Sequence, residues 1–127
     1  MVGGAQRVVT KLPATPSAVP AARRFAAQAV AHMGMHGEVL DRTQLLVTEL
    51  ATNAVQHAQS AIRLSVVPEP GRVRVEVRDD DPSPPPRPHR PEPDAEQGRG
   101  LWLVSALSER WGVNRNEKGK TVWFEVG

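Results

Sequence analysis

Glu49-Leu-Ala-Thr-Asn53-Ala-Val-Gln-His57-Ala58 sets a carboxylate, a carboxamide and an imidazole four residues apart along the chain. At about 100° per residue, Leu46, Val47, Leu50, Ala51, Ala54, Val55 and Ala58 fill one half of a helical wheel. Side chains at i, i+4 and i+8 share one edge of a helix, so Glu49, Asn53 and His57 form a row. That row lies at the margin of the apolar half, beside Leu46 and Leu50. A helix of this kind buries one side against a core and still presents polar groups to a pocket. Amphipathic helices often carry polar residues at their borders, so the row alone does not establish a site. Asn53 nonetheless calls for compensation, because in a helix interior its amide competes for backbone hydrogen bonds.

The spacing runs this helix from about Glu38 to Ala58, with Gly34 and Gly37 punctuating the chain before it. Upstream, Ser17 can cap a helix through about Met33, its apolar face set by Phe25, Ala26, Ala29, Val30 and Met33. Pro20 is tolerable there because it falls in the first turn. Arg7 to Leu12 is short, β-branched and alternating, as an edge strand would be. Downstream, Ile62, Leu64 and Val66 alternate with polar neighbours, and Val73, Val75 and Val77 alternate with Arg74, Glu76 and Arg78. Pro68 to Gly71 makes the turn between them, giving an antiparallel hairpin. A helix from about Leu101 to Arg110 and a strand from Thr121 to Val126 follow, with a Gly-containing turn at Glu117 to Lys120. The order β-α-α-β-β-loop-α-β-β predicts an α+β two-layer sandwich, a mostly antiparallel sheet covered on one face by helices.

A chain of 127 residues suits one domain, spanning 1–127, with a real core. The net charge is only +2 although the pI is near 9.7. Its thirteen Arg are scattered in the sequence, whereas a nucleic-acid footprint needs them clustered; no direct nucleic-acid partner is expected. There is no cysteine, which excludes disulfides and thiolate metal sites. No apolar run reaches the length of a membrane span, and no basic-then-apolar leader opens the chain. These absences fit a cytoplasmic protein with no membrane partner.

Asp79 continues the inward phase of Val73, Val75 and Val77, so its carboxylate is directed at the core layer. A buried carboxylate is costly without a partner; it either caps a strand end or accepts from a donor such as an exocyclic amine. Seven of the twelve prolines fall between Pro82 and Pro93, so neither helix nor ladder strand persists there. The segment from about 80 to 97 is either a surface loop or a lid. Gly98-Arg99-Gly100-Leu101 then opens a helix, where glycines admit close backbone approach and exposed N–H groups favour anions.

Other chemistries fit less well. A Rossmann fingerprint would need a third Gly where Leu103 stands, and a Walker A loop would need Gly where Asn114 stands. Lys120 is accordingly assigned to the turn. His32, His36, His57 and His89 lack metal-ligand spacing backed by carboxylates. No serine sits in a nucleophile elbow, and the three Trp suit core or interface anchors more than a base-stacking platform.

Taken together, these segments resemble the GHKL (Bergerat-fold) ATP-binding superfamily, and within it the small bacterial anti-sigma-factor serine kinases. Glu49 to Ala58 resembles the N-box, Val75 to Asp79 the first glycine-box strand, and Gly98 to Leu101 the second glycine box. Thr121 resembles the threonine of the last motif. The resemblance implies a Bergerat-type mixed sheet, with ATP and Mg²⁺ as cofactors. Asn53 would ligate Mg²⁺, and Glu49 would act as the catalytic base. Asp79 would accept from the adenine amino group with support from Thr121. Gly98, Arg99, Gly100 and Leu101 would meet the phosphates, His57 would lie near the nucleotide, and the Pro-rich segment would be the ATP lid.

The partners so implied are a sigma factor and a STAS-domain anti-anti-sigma protein, with a homodimer also expected by resemblance. One departure stands out: where relatives carry Gly-x-Gly after the Asp, this chain has Asp81-Pro82-Ser83-Pro84. Two functions remain open: a protein-serine kinase that also sequesters a sigma factor, and a non-catalytic module in which ATP only sets a partner-binding surface.

Overall fold

The structure, a computed structural model, describes residues 6–58, 61–83 and 99–127, with backbone alone at Arg99 and Gly100. In chain order the elements are β1 (Val8–Pro13), α1 (Ala18–His32), α2 (Glu38–His57), β2 (Ala61–Glu69), β3 (Arg72–Asp79), α3 (Arg99–Leu107), β4 (Arg110–Asn116) and β5 (Gly119–Val126). The sheet runs β1-β2-β3-β5-β4, and every neighbouring pair is antiparallel. This is the expected α+β sandwich, with β1 at one edge as its short alternating sequence predicts; the parallel pair that a mixed sheet implies does not occur among the described strands.

Period-2 alternation sorts the sheet into two faces. On one face the pairs Val73–Val126, Val75–Phe124 and Val77–Val122 stack in register between β3 and β5, continued onto β2 by Leu64 and Val66. All of these side chains are buried. Against them pack Leu46, Val47, Leu50, Ala51 and Ala54 of α2 and the i, i+4 file Ala18, Ala22, Ala26 and Val30 of α1. The small alanines let α1 lie close to its neighbours, and the burial of this common face is what holds the layers together.

On the opposite face the alternation gathers arginines that look scattered in the sequence. Arg7, Arg72, Arg74 and Arg110 all reach this side, interleaved with Glu76 and Glu125. Arg74 lies 3.9 Å from the ring centre of Trp123. A Cβ at Gly112 would come within 2.8 Å of that indole, so only glycine leaves room for it.

Several boundaries differ from the sequence reading. Ser17 precedes α1, but its hydroxyl pairs with Thr15 Oγ1 at 2.9 Å and makes no side-chain cap. Pro68 belongs to β2 and not to the turn, which is only Pro70-Gly71, with Gly71 at φ 71°. Proline is tolerated there because β1 pairs β2 only over Ala61 to Val66, leaving that edge open at Pro68. The last helix stops at Leu107, and Arg110 already begins β4. Among the described residues no helix is long and apolar enough to cross a membrane.

Candidate functional site

The apolar ladder of β3 and β5 ends in a charged rung, Asp79 opposite Lys120. Both side chains are on the core-facing side and nearly inaccessible, at 4% and 5% exposure. Helix α2 passes above this rung and contributes Leu50, Asn53, Ala54 and His57; Leu101 of α3 closes a third side. With Val77 and Val122 these residues enclose a cavity of about 20 Å³, room for roughly one water molecule. Its walls are apolar and its polar atoms converge from Asn53, His57, Asp79 and Lys120.

Asp79 Oδ1 accepts from the Asp81 backbone N–H at 2.8 Å and from Lys120 Nζ at 3.1 Å. Lys120 Nζ also donates to the Asp81 carbonyl oxygen at 3.1 Å and lies 3.9 Å from Asp81 Oδ2. The Asp81 carboxyl is held below its ordinary range, chiefly by the Ser83 backbone N–H at 2.9 Å and the Ser83 hydroxyl, with Lys120 contributing at longer range. The Asp81-Pro82 segment thus turns back on the end of β3 and supplies a second oxygen-rich station for the same ammonium.

Gly119 makes this closure possible. Its φ is +154°, and a Cβ there would sit 2.1 Å from the Asp79 carbonyl oxygen. Only a residue without a side chain lets β5 start so near the end of β3.

Of the residues singled out in the sequence, Asn53, His57, Asp79 and Leu101 line one cavity. Glu49 lies one helical turn before Asn53; it is 8% exposed and does not line the cavity. Thr121 is placed elsewhere: its Oγ1 accepts from Arg78 Nη1 at 3.3 Å on the opposite face of the sheet. Alternation requires this, because Lys120 and Val122 take the inward phase. Arg99 and Gly100 begin α3, while Gly98 and most of the lid segment, from Pro84 to Gln97, lie outside the described residues.

Lys120 is the residue that sequence reasoning missed. Its neighbour Gly119 reads as part of a turn, but the turn is Glu117-Lys118 and Lys120 is a strand residue facing the core. The signal was present, since Lys120 is two residues before Val122 and four before Phe124 in the same inward phase. Among the described residues larger hollows lie elsewhere, one of about 430 Å³ beside Phe25 and Met33 and one of about 150 Å³ beside Lys11 and Arg63. Neither gathers the polar row of α2.

Comparison with known proteins agrees with this fold. The RsbU and RsbW domains of Rv1364c from Mycobacterium tuberculosis superpose with a TM-score of 0.73 at 20% identity, over 94% of this chain and 32% of that one. At that identity the likeness is one of fold. The histidine kinase domain from the Erythrobacter litoralis EL346 blue-light activated histidine kinase gives a TM-score of 0.54 at 27% identity, over 85% of this chain and 60% of that one. This chain therefore spans about a third of the first and three fifths of the second. No curated protein matches it at a significant level. The sequence pattern of the histidine kinase-like ATPase domain matches residues 12–126, nearly the whole chain. The protein belongs to the histidine kinase-like ATPase domain family.

Proposed function

We propose that this domain binds Mg-ATP in the cavity beneath α2 and phosphorylates a serine of a STAS-domain antagonist, while holding a sigma factor inactive when that antagonist is absent. The observation that carries the reading is a buried carboxylate, Asp79, ending an apolar slot whose roof bears Asn53 one turn after Glu49. An adenine has apolar faces for Leu50, Ala54, Val77 and Val122 and an amino group for Asp79. The residues present therefore fit the base.

Among the described residues no three His, Asp or Glu side chains are placed to hold a metal. A magnesium ion here would need phosphate and water oxygens beside the Asn53 amide oxygen. The nucleotide would supply the phosphoryl group. Glu49, reached from the same helix edge, would take the serine hydroxyl proton as that oxygen bonds the γ-phosphorus and the bond to the departing ADP breaks. Such transfer is mainly positioning and charge stabilisation. Backbone N–H groups at the start of α3 would meet the phosphates. Purified protein with Mg-ATP and candidate STAS-domain proteins should transfer labelled phosphate to serine, and absence of transfer to any candidate defeats the kinase reading.

A second reading follows from the placement of Glu49 outside the cavity walls: the domain binds ATP only to set a partner surface. Glu49→Ala separates the two. In a kinase it abolishes transfer while ATP affinity changes by less than about threefold. In a pure binding module, partner regulation persists unchanged.

A further inference from the structure

The base-reading carboxylate of this pocket already has a cationic occupant from its own chain. Lys120 Nζ sits 3.1 Å from Asp79 Oδ1, with both side chains about 95% buried. Oδ1 already accepts from that ammonium and from the Asp81 N–H, so an exocyclic amine directed at this oxygen would have to take the ammonium's position. As it stands the cavity around the pair, about 20 Å³, leaves no free position for an amino group beside Asp79 Oδ1. Leu50, Val77 and Val122 are core side chains rooted in α2 and the sheet, so they cannot retreat cheaply. Lys120 is the one wall with a long, rotatable stem.

A buried ammonium cannot leave an oxygen without finding another. Asp81 provides it, since its carbonyl oxygen already accepts from Nζ at 3.1 Å and its carboxylate Oδ2 waits at 3.9 Å. The Asp81 side chain is 19% exposed, against 4% for Asp79. A shift of Nζ toward it is short and moves the charge toward solvent.

The geometry points to Lys120 as the residue that sets nucleotide affinity in this pocket: the purine amino group reaches Asp79 only as the Lys120 ammonium passes from Asp79 to Asp81. This rests on the ATP-binding reading given above. It also gives Asp81, where relatives carry glycine, a task of its own. The domain would bind nucleotide weakly for its fold, and whatever stabilises Lys120 on Asp81 would raise that affinity.

Titration calorimetry with Mg-ATP on wild type, Lys120→Met and Asp81→Asn tests the exchange. A charge-assisted hydrogen bond must break before the base docks, so Lys120→Met should bind about tenfold more tightly. Asp81→Asn should bind several-fold more weakly, because the ammonium loses its second station. Equal or weaker binding by Lys120→Met overturns the inference, as does unchanged binding by Asp81→Asn. So does a wild-type preference for inosine triphosphate over ATP that vanishes in Lys120→Met, since that would mean the ammonium stays and reads a 6-oxo group.

Lys120→Met leaves Asp79 buried without its cation and can cost folding. The second measurement therefore uses wild type: the ¹⁵Nζ resonance of Lys120, followed with and without a non-hydrolysable ATP analogue. It should shift on saturation, and a resonance that binding leaves in place refutes the exchange. If wild type binds no nucleotide at all, the ATP-binding reading itself fails and this inference with it. If wild type binds but the variants do not move as stated, only the exchange fails.

Discussion

At the scale of single residues, the chemistry concentrates on Asp79. Its carboxylate is 5% exposed and is stabilised by one ammonium and one backbone N–H on the same oxygen. Asp79→Asn replaces an acceptor-only group with an amide that presents donors to Lys120 and to any incoming amine. Removing a buried charged partner leaves unsatisfied groups on both sides. Mg-ATP affinity should therefore fall by at least about a hundredfold, measured by calorimetry. The melting temperature should fall as well, because Lys120 is left buried without its counterion. Retained affinity would mean that the base is read elsewhere. Asp79 was legible in the sequence because three inward positions at period two, Val73, Val75 and Val77, precede it in the same phase. Lys120 obeys the same phase from Val122, but a lysine beside a glycine reads as a turn. The burial of an ammonium depends on a cross-strand carboxylate 41 positions away, which no local pattern reveals.

At the scale of elements, strand phase and helix spacing decide nearly everything that positions the pocket. Seven of the eight elements follow from local patterns, and β4 stands in the expected order without a pattern of its own. The boundaries that slipped did so where tertiary context overrides propensity. Pro68 can stay in β2 only because β1 begins opposite Val66 and does not reach it. The segment after Leu107 turns to strand because Trp111 and Val113 pack on the core as partners of Phe124 and Val122 on β5. Strand β5 is the element on which both the core and the site depend, since it carries Lys120 at its start and then Val122, Phe124 and Val126 inward. Phe124 is fully buried beside Val75 and Trp111. Phe124→Ala should cost about 3–5 kcal/mol of unfolding free energy by denaturant titration. Loss of less than about 1 kcal/mol would show that the sheet and helices can close over the gap.

At the scale of the whole molecule, one face of the sheet is a hydrophobic interior and the other is a lattice of charges centred on Glu125. That glutamate has 3% side-chain exposure and is approached by Arg74 at 3.2 Å, Arg72 at 3.4 Å and Arg110 at 3.6 Å. Burial alone would raise its pKa, but the hydrogen bond from Arg74, the neighbouring Arg110 charge and hydrogen bonds with Glu69 and Arg72 outweigh it and hold the carboxyl below its ordinary value. The lattice joins β3, β4 and β5, so its protonation is felt by the fold and not by one strand. In the unfolded chain Glu125 takes up a proton near the usual glutamate value, whereas in the folded chain it does so only at lower pH. The stabilisation is therefore complete at neutral pH. It declines as pH falls below the ordinary glutamate range and is gone below the folded value. Denaturant midpoints measured from pH 7 down to about pH 3 should decline less steeply in Glu125→Gln than in wild type, and the variant should be the less stable of the two at pH 7. Three arginines facing a neutral amide still repel one another at every pH, which is why Glu125→Gln loses stability where wild type has most. Parallel curves for the two proteins would place the acid sensitivity in other carboxylates, with Asp81, also held below its ordinary range, the next to substitute.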